Sequence, residues 1–200
     1  MKKTLLLLFL FATTVLSAQN VVNIQYSDSD DPVWKLYAKA QNCHYMRVTL
    51  SGDFSGKTRY RVFQNVCRDG HITTQKDVLP ERFYWSSIND SIITIDFLSY
   101  PVTPDSVKIV TDNSAYDISK SMEFASGGIF METLSEEPYT TWQEIPFIAY
   151  TSGIIEPIVI EGKSYDAQKF CKLRDMKLHP IKWKDIEGVS DYIYFSIIFQ

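Results

Sequence analysis

Short runs of β-branched and aromatic residues, separated by glycine or proline turns, restrict the fold of this sequence more than any other feature. Such runs occupy residues 92–100, 107–111, 145–150 and 154–160. Many short strands divided by turn residues are typical of antiparallel sandwiches and barrels. The sequence therefore predicts a mainly β (α+β) fold, an antiparallel β-sandwich or barrel-like sheet with two short helices. Tight hairpins are expected around residues 126–128 and 152–153.

A further hairpin is predicted on either side of Gly56, where two alternating polar and apolar runs flank a turn. Three-residue hairpin loops commonly end in a left-handed glycine. Counting outward from such a loop places Val48 opposite Val62 and Cys43 opposite Cys67. Directly opposed residues are close enough for a disulfide. The pattern predicts a Cys43–Cys67 disulfide, and two small buried thiols are the alternative.

Two helices and a buried terminal strand complete the predicted elements. A helix is expected over residues 32–41, because Asp31 can cap it and a proline suits its first position. A second is expected over residues 164–176, with Cys171 as a small buried residue beside its apolar stripe. Residues 192–199 are almost continuously apolar, which predicts a strand covered on both faces.

The first eighteen residues have the pattern of a secretory signal peptide. Two lysines precede an uncharged apolar run, and small residues lead to a cleavage point after Ala18. The run is shorter than a membrane anchor requires, so no transmembrane segment is expected in the mature chain. Residues 19–200 are predicted to form one β-rich domain, with a subdivision near residues 112–121 as the alternative. The protein is expected in the periplasm, at the cell surface or secreted.

Charge and motif spacing argue against several classes of function. The net charge is −4, whereas a nucleic-acid-binding protein must neutralise many phosphates. The three histidines lack the spacing of zinc ligands, and no glycine-rich phosphate loop or G-x-S-x-G turn occurs. Cys171 with His179 is a minor candidate for a nucleophile and base. The sequence predicts no cofactor, no metal site and no nucleic-acid partner, and it names no catalytic residue.

Aromatic side chains are the remaining candidates for ligand binding. Flat rings with a polar edge can stack on the apolar faces of sugars. The residues that the sequence predicts to bind a ligand in this way are Phe83, Tyr84, Trp85, Tyr139 and Trp142. Trp34, Tyr37 and Trp183 could stack in the same way, but a core position is the commoner role for such residues.

These observations favour a non-catalytic binding domain with a glycan or protein partner. The first alternative is a secreted hydrolase acting on polysaccharide or peptide, with Glu136, Glu137 and Glu144 as candidate carboxylates beside an aromatic loop. The second alternative is a structural subunit of an envelope assembly.

The leader ending in Leu16-Ser17-Ala18-Gln19, the aromatic-rich β pattern and the last strand ending in Phe199-Gln200 resemble small exported proteins of gut Bacteroidota, whose families have no assigned function. Asp90-Ser91-Ile92 and Asp105-Ser106-Val107 are similar to the O-glycosylation acceptor pattern of that phylum. The resemblance implies an exported location and O-glycosylation at Ser91 and Ser106.

Overall fold

The computed structural model describes residues 20–54, 56–68, 71–78, 86–88, 91–113, 118–125, 127–186, 188–189 and 191–200. The strands in chain order are β1 (Val21–Ser27), β2 (His44–Gly52), β3 (Arg59–Arg68), β4 (His71–Asp77), β5 (Ser86–Ser87), β6 (Ile92–Thr103), β7 (Ser106–Asn113), β8 (Ile118–Ala125), β9 (Ile129–Glu132), β10 (Tyr139–Thr140), β11 (Ile145–Thr151), β12 (Ile154–Ile160), β13 (Lys163–Lys169) and β14 (Tyr192–Phe199). The helices are α1 (Pro32–Gln41), α2 (Phe170–Asp175) and a 3₁₀ helix (Pro180–Asp185).

These strands form antiparallel sheets, which confirms the predicted mainly β fold. The first sheet has the order β10-β1-β2-β6-β7-β8, and the second has the order β4-β3-β14-β11-β9 with β5 paired to β3. A separate two-stranded sheet is formed by β12 and β13. One sheet is curled into a half-barrel, and three short helices accompany the sheets, where two were predicted.

The main hydrophobic core lies between the inner faces of the two large sheets. Phe97 of the first sheet is fully buried, and its ring centroid lies 4.8 Å from that of Phe195 in the second sheet. Phe130 and Phe147, also of the second sheet, lie 5.8 and 5.9 Å from Phe97. Burial of several aromatic side chains at one point makes a large apolar contribution to the stability of the fold.

A second core covers the outer face of the second sheet. Leu173 of α2 and Trp183 of the 3₁₀ helix pack with Tyr192 and Tyr194 of β14. The alternate residues of β14 point into the first core, so seven of its eight residues are buried. The prediction of a final strand covered on both faces is confirmed, and so is the core position of Trp183.

The predicted pairing of β2 with β3 is wrong, although the turn between them is as expected. Gly56 has a left-handed backbone with φ of 78°, and Lys57 N donates to Phe54 O at 2.8 Å. However, β2 pairs with β1 and β6, while β3 pairs with β14, β4 and β5. Phe54 is buried and stacks on Phe199 at 5.1 Å. The loop therefore carries the chain from one sheet to the other.

The predicted Cys43–Cys67 disulfide is absent, and all three cysteines are free. Cys67 of β3 belongs to the second core, on the face of its sheet that points away from the first sheet. Cys43 precedes β2 of the first sheet. Cys43 therefore adjoins the first sheet while Cys67 lies in the second, and no disulfide joins them. Cys171 is exposed, so the expectation that it is buried is wrong.

Three further local expectations are also corrected. The predicted hairpin around residues 126–128 joins strands of different sheets, since β8 pairs with β7 and β9 pairs with β11. The predicted hairpin around residues 152–153 fails because β12 pairs with β13. Residues 163–169 are a strand, so the helix predicted over residues 164–176 is confined to Phe170–Asp175.

Helix α1 begins and ends where the sequence predicts, but its apolar stripe is not buried. Asp31 caps it, with Oδ1 accepting from Val33 N at 2.9 Å. Val33 is 73% exposed and Leu36 is 72% exposed, whereas Trp34 and Ala38 are half-buried. The helix therefore rests on Trp34 and Ala38 rather than on its larger aliphatic residues.

Some sequence predictions fall outside the described residues. They include the signal peptide over residues 1–18 and the central part of the subdivision, residues 114–117.

We expect the folded protein to retain three free thiols, because β2 and β3 lie in different sheets. A thiol-reactive dye should label Cys171 quickly in the native state and should label the fully buried Cys67 only after unfolding. The Cys67→Ala variant identifies the slow signal. A reductant should leave the melting temperature unchanged. A Cys43–Cys67 peptide in a non-reducing digest would contradict this expectation.

We also expect the protein to lose stability in mild acid because of His179. Its Nδ1 accepts a hydrogen bond from Ile181 N at 3.1 Å, and burial lowers the pKa of His179 below its ordinary value of 6.5. The unfolded chain therefore binds this proton at a higher pH than the folded chain, and the free energy of unfolding falls as the pH drops below about 6.5. His179→Asn should reduce this slope in urea titrations at several pH values.

The control for this experiment is His71→Asn, because His71 is exposed on β4. An identical pH slope in wild type and His179→Asn would exclude His179 as a source of the acid sensitivity. His44 is also half-buried, and burial lowers its pKa, so part of the slope should remain in His179→Asn.

Candidate functional site

Three cavities of the described residues are lined by Trp34 of α1, with volumes of about 630, 370 and 380 Å³. The two smaller ones lie between α1 and the outer face of the first sheet. No residue of α1 is buried, so open space remains between the helix and the sheet beside Trp34. We call this space the Trp34 groove, and its walls include Trp34, Tyr37, Tyr45, Asp96, Leu98, Tyr100, Val110 and Asp112.

Aromatic rings form one wall of the groove. Trp34 and Tyr37 lie one helical turn apart on α1, and their ring centroids are 5.6 Å apart. Tyr45 of β2 meets Trp34 edge-on at 6.4 Å, with an angle of 82° between the ring planes. Rings at different angles present both a flat surface and a polar edge to a ligand.

A network around Asp96 forms the polar floor. Arg47 and Asp96 are directly opposed on β2 and β6, and Arg47 Nε and Nη2 donate to the two carboxylate oxygens of Asp96 at 2.7 and 2.9 Å. Tyr45 Oη donates to Asp96 Oδ1 at 2.8 Å. Burial raises the pKa of Asp96, but the hydrogen bonds from Arg47 and Tyr45 lower it by a larger amount. The pKa of Asp96 therefore lies below its ordinary value. Asp96 is therefore ionised and its hydrogen bonds are satisfied at neutral pH.

The neighbouring carboxylate, Asp112, has no such support. It lies directly opposite Asp96 in the β6–β7 ladder. Its Oδ1 atom is buried and accepts no hydrogen bond from a described residue. The floor of the groove is thus a row of Arg47, Asp96 and Asp112 across three strands, with one positive and two negative charges. A buried acceptor without a donor is costly, and so are like charges placed opposite each other.

The residues predicted to bind a ligand either lie away from this groove or fall outside the described residues. Phe83, Tyr84 and Trp85 lie outside the described residues. Tyr139 is half-buried against the main core, and its hydroxyl donates to Thr133 O at 3.2 Å. Trp142 is 72% exposed, and Lys57 Nζ lies 3.9 Å from the centroid of its ring. A ligand-binding role for these residues stays a prediction.

The carboxylates considered for hydrolysis do not come together. Glu136 and Glu137 are exposed in the loop before β10. Glu144 accepts a hydrogen bond from the buried Ser196 Oγ. None of the three lines a cavity described above.

The remaining polar candidates have other surroundings. His179 packs edge-on against Tyr194, at 6.0 Å between centroids, while Cys171 lines a separate cavity of about 240 Å³. Ser91 is exposed before β6, and Ser106 Oγ lies 2.7 Å from Thr103 Oγ1 in the β6–β7 turn. Glycosylation of Ser91 and Ser106 stays a prediction.

The sequence reasoning missed the groove itself. It named Trp34 and Tyr37 as residues that could stack on a ligand, with a core position as the commoner role, and it did not single out Asp96 or Asp112. A charged residue within an alternating strand marks an outward position, and Asp96 lies between the buried Ile95 and Phe97. That signal could have placed Asp96 on the outer face, but only the β6–β7 register shows that it faces Asp112.

We expect Arg47→Met to destabilise the fold by about 1 kcal/mol, because it removes the cation that compensates two opposed carboxylates. Part of this loss should be recovered in Arg47→Met/Asp112→Asn, where one of the two charges is gone. Urea denaturation gives both values. Arg59→Met is the control, since Arg59 is exposed on β3 of the other sheet. Wild-type stability in Arg47→Met would show that the carboxylates do not repel each other appreciably.

Neither a membrane-spanning helix nor a metal-binding cluster is found in the part of the chain that the structure describes. None of its helices combines the length and apolar character needed to cross a membrane. No group of three or more of its His, Cys, Asp and Glu side chains is arranged to hold a metal ion. In comparisons with known proteins, no family model matches the sequence, and no curated protein or solved structure is significantly similar.

Proposed function

We propose that this protein is an exported, non-catalytic domain that binds a glycan in the Trp34 groove. The observation that carries the proposal is the meeting of three cavities at one half-buried tryptophan, which α1 holds over the first sheet. The signal-peptide pattern of residues 1–18 supports export. A glycan is favoured over a protein partner because a sugar chain combines flat apolar faces with many hydroxyls, which match the rings and carboxylates of the groove.

The state of Asp96 argues against a role as a general acid. All three of its described hydrogen bonds come from Arg47 and Tyr45, and its lowered pKa keeps it ionised. A general acid must carry a proton near neutral pH. An ionised carboxylate held by a bidentate arginine instead fixes the orientation of the groove floor.

Trp34→Ala should weaken glycan binding about tenfold or more, because the largest apolar surface of the groove is lost. A glycan array with the chain lacking residues 1–18 selects the oligosaccharide, and isothermal titration measures its dissociation constant. Alanine suits a helix interior, so α1 should remain folded. Circular dichroism and the melting temperature verify this.

Trp142→Ala is the matched control, since Trp142 is an exposed tryptophan outside the groove. Unchanged affinity in Trp34→Ala together with lost affinity in Trp142→Ala would move the site to Trp142. Absence of binding to every glycan on the array would contradict the proposed function.

One observation favours a second function, a retaining glycoside hydrolase. Asp96 and Asp112 are directly opposed, and side chains so placed have Cβ atoms about 4.5–5.5 Å apart. Retaining enzymes use two carboxyl groups about 5–5.5 Å apart, a separation that side chains of directly opposed residues can reach. In that case the ionised Asp96 would be the nucleophile and Asp112 the acid and base. Reducing ends released from the selected glycan, and lost in Asp96→Asn, would replace the binding proposal with this one.

A further inference from the structure

The buried Oδ1 atom of Asp112 is the feature of the groove that its own neighbours leave without a partner. Asp112 lines the same cavity as Trp34 and Tyr45, and no described residue donates a hydrogen bond to its Oδ1 atom. Buried polar atoms are nearly always paired, so this atom is suited to a donor from a ligand.

The charges around Asp112 indicate what kind of donor this is. The carboxylate of Asp96 is matched by Arg47, which holds it through two hydrogen bonds. Asp112 lies on the other side of Asp96, in the next strand, and adds a second negative charge to the row. A positively charged donor would satisfy Oδ1 and also offset the repulsion between the two carboxylates. A neutral hydroxyl would satisfy Oδ1 but would not offset the repulsion between the carboxylates.

The aromatic rings favour the same kind of ligand. Tyr45 and Trp34 border the cavity that contains Asp112, and their rings are almost perpendicular. The faces of aromatic rings attract cations, and tryptophan attracts them best. A single carboxylate beside rings is a poor site for a metal ion, which requires several oxygen ligands.

We propose that Asp112 and Trp34 form a cation subsite and that the ligand of the groove is a glycan with protonated amino groups. This inference rests on the proposed function, because it assumes that a glycan occupies the groove. The sugar ring stacks on Trp34, and its ammonium group donates to Asp112 Oδ1.

A pair of oligosaccharides of equal length tests the inference. Chitosan hexamer carries amino groups, and chitin hexamer carries neutral acetamides on the same backbone. Isothermal titration in mildly acidic buffer should show that wild type binds chitosan hexamer about tenfold or more tightly than chitin hexamer. This is the effect expected of one hydrogen bond between charged groups. Added salt should reduce this preference, since it screens the charge interaction.

Asp112→Asn should remove the preference for chitosan hexamer, so that the variant binds the two hexamers with equal affinity. Its matched control is Asp105→Asn, which removes the same charge from an exposed position in the β6–β7 turn. The control should keep the wild-type preference. A chitosan preference that survives in Asp112→Asn would overturn the assignment of Asp112.

Two other results separate the inference from the proposed function. Equal binding of both hexamers, lost in Trp34→Ala, would overturn the cation subsite and leave a glycan-binding groove. If neither hexamer binds, binding of a fluorescent hexalysine peptide is measured next. Displacement of this peptide by free hexalysine but not by chitosan would overturn the proposal of a glycan ligand and point to a basic protein partner. Both results use the full chain without residues 1–18.

Discussion

The contact between Phe97 and the phenylalanines of the second sheet is the interaction on which the rest of the structure depends. It joins β6, near the middle of the first sheet, to β9, β11 and β14 of the second. Because side chains alternate along a strand, burial of Phe97 also places Asp96 and Leu98 on the outer face. The aromatic contact that holds the sheets together therefore also sets the floor of the Trp34 groove.

The fold class, α1 and the doubly buried β14 could be predicted from the sequence, because each follows from local spacing. Strand partners could not. Val48 and Val62 alternate in the expected way, but alternation determines only which face of a strand is buried, and each residue contributes to a different sheet. Residues 164–169 were predicted as the start of a helix because Ser164 can cap one whose apolar residues continue to Met176, whereas their pairing with β12 makes them a strand.

Less of the candidate site could be predicted. Aromatic residues were recognised as candidates, and Trp34 was among those for which a core position was the commoner role, since a single helix does not reveal which of its faces meets the sheet. The opposition of Asp96 and Asp112 depends on the register of β6 and β7, whose turn is displaced by an irregularity after Pro101. No local pattern contains that information. The charge row and its missing donor exist only once three strands are aligned.

The position of β14 has a consequence for how the chain reaches this structure. Residues 192–199 follow all the other strands in sequence, yet they lie between β3 and β11 in the second sheet. Until these residues have been synthesised, β3 is paired only on the side of β4 and β5 and β11 only on the side of β9, so each has one unpaired edge. Pairings between segments so distant in sequence form slowly. The second sheet must assemble after β14 becomes available, and during that interval the edges of β3 and β11 are open to incorrect pairing.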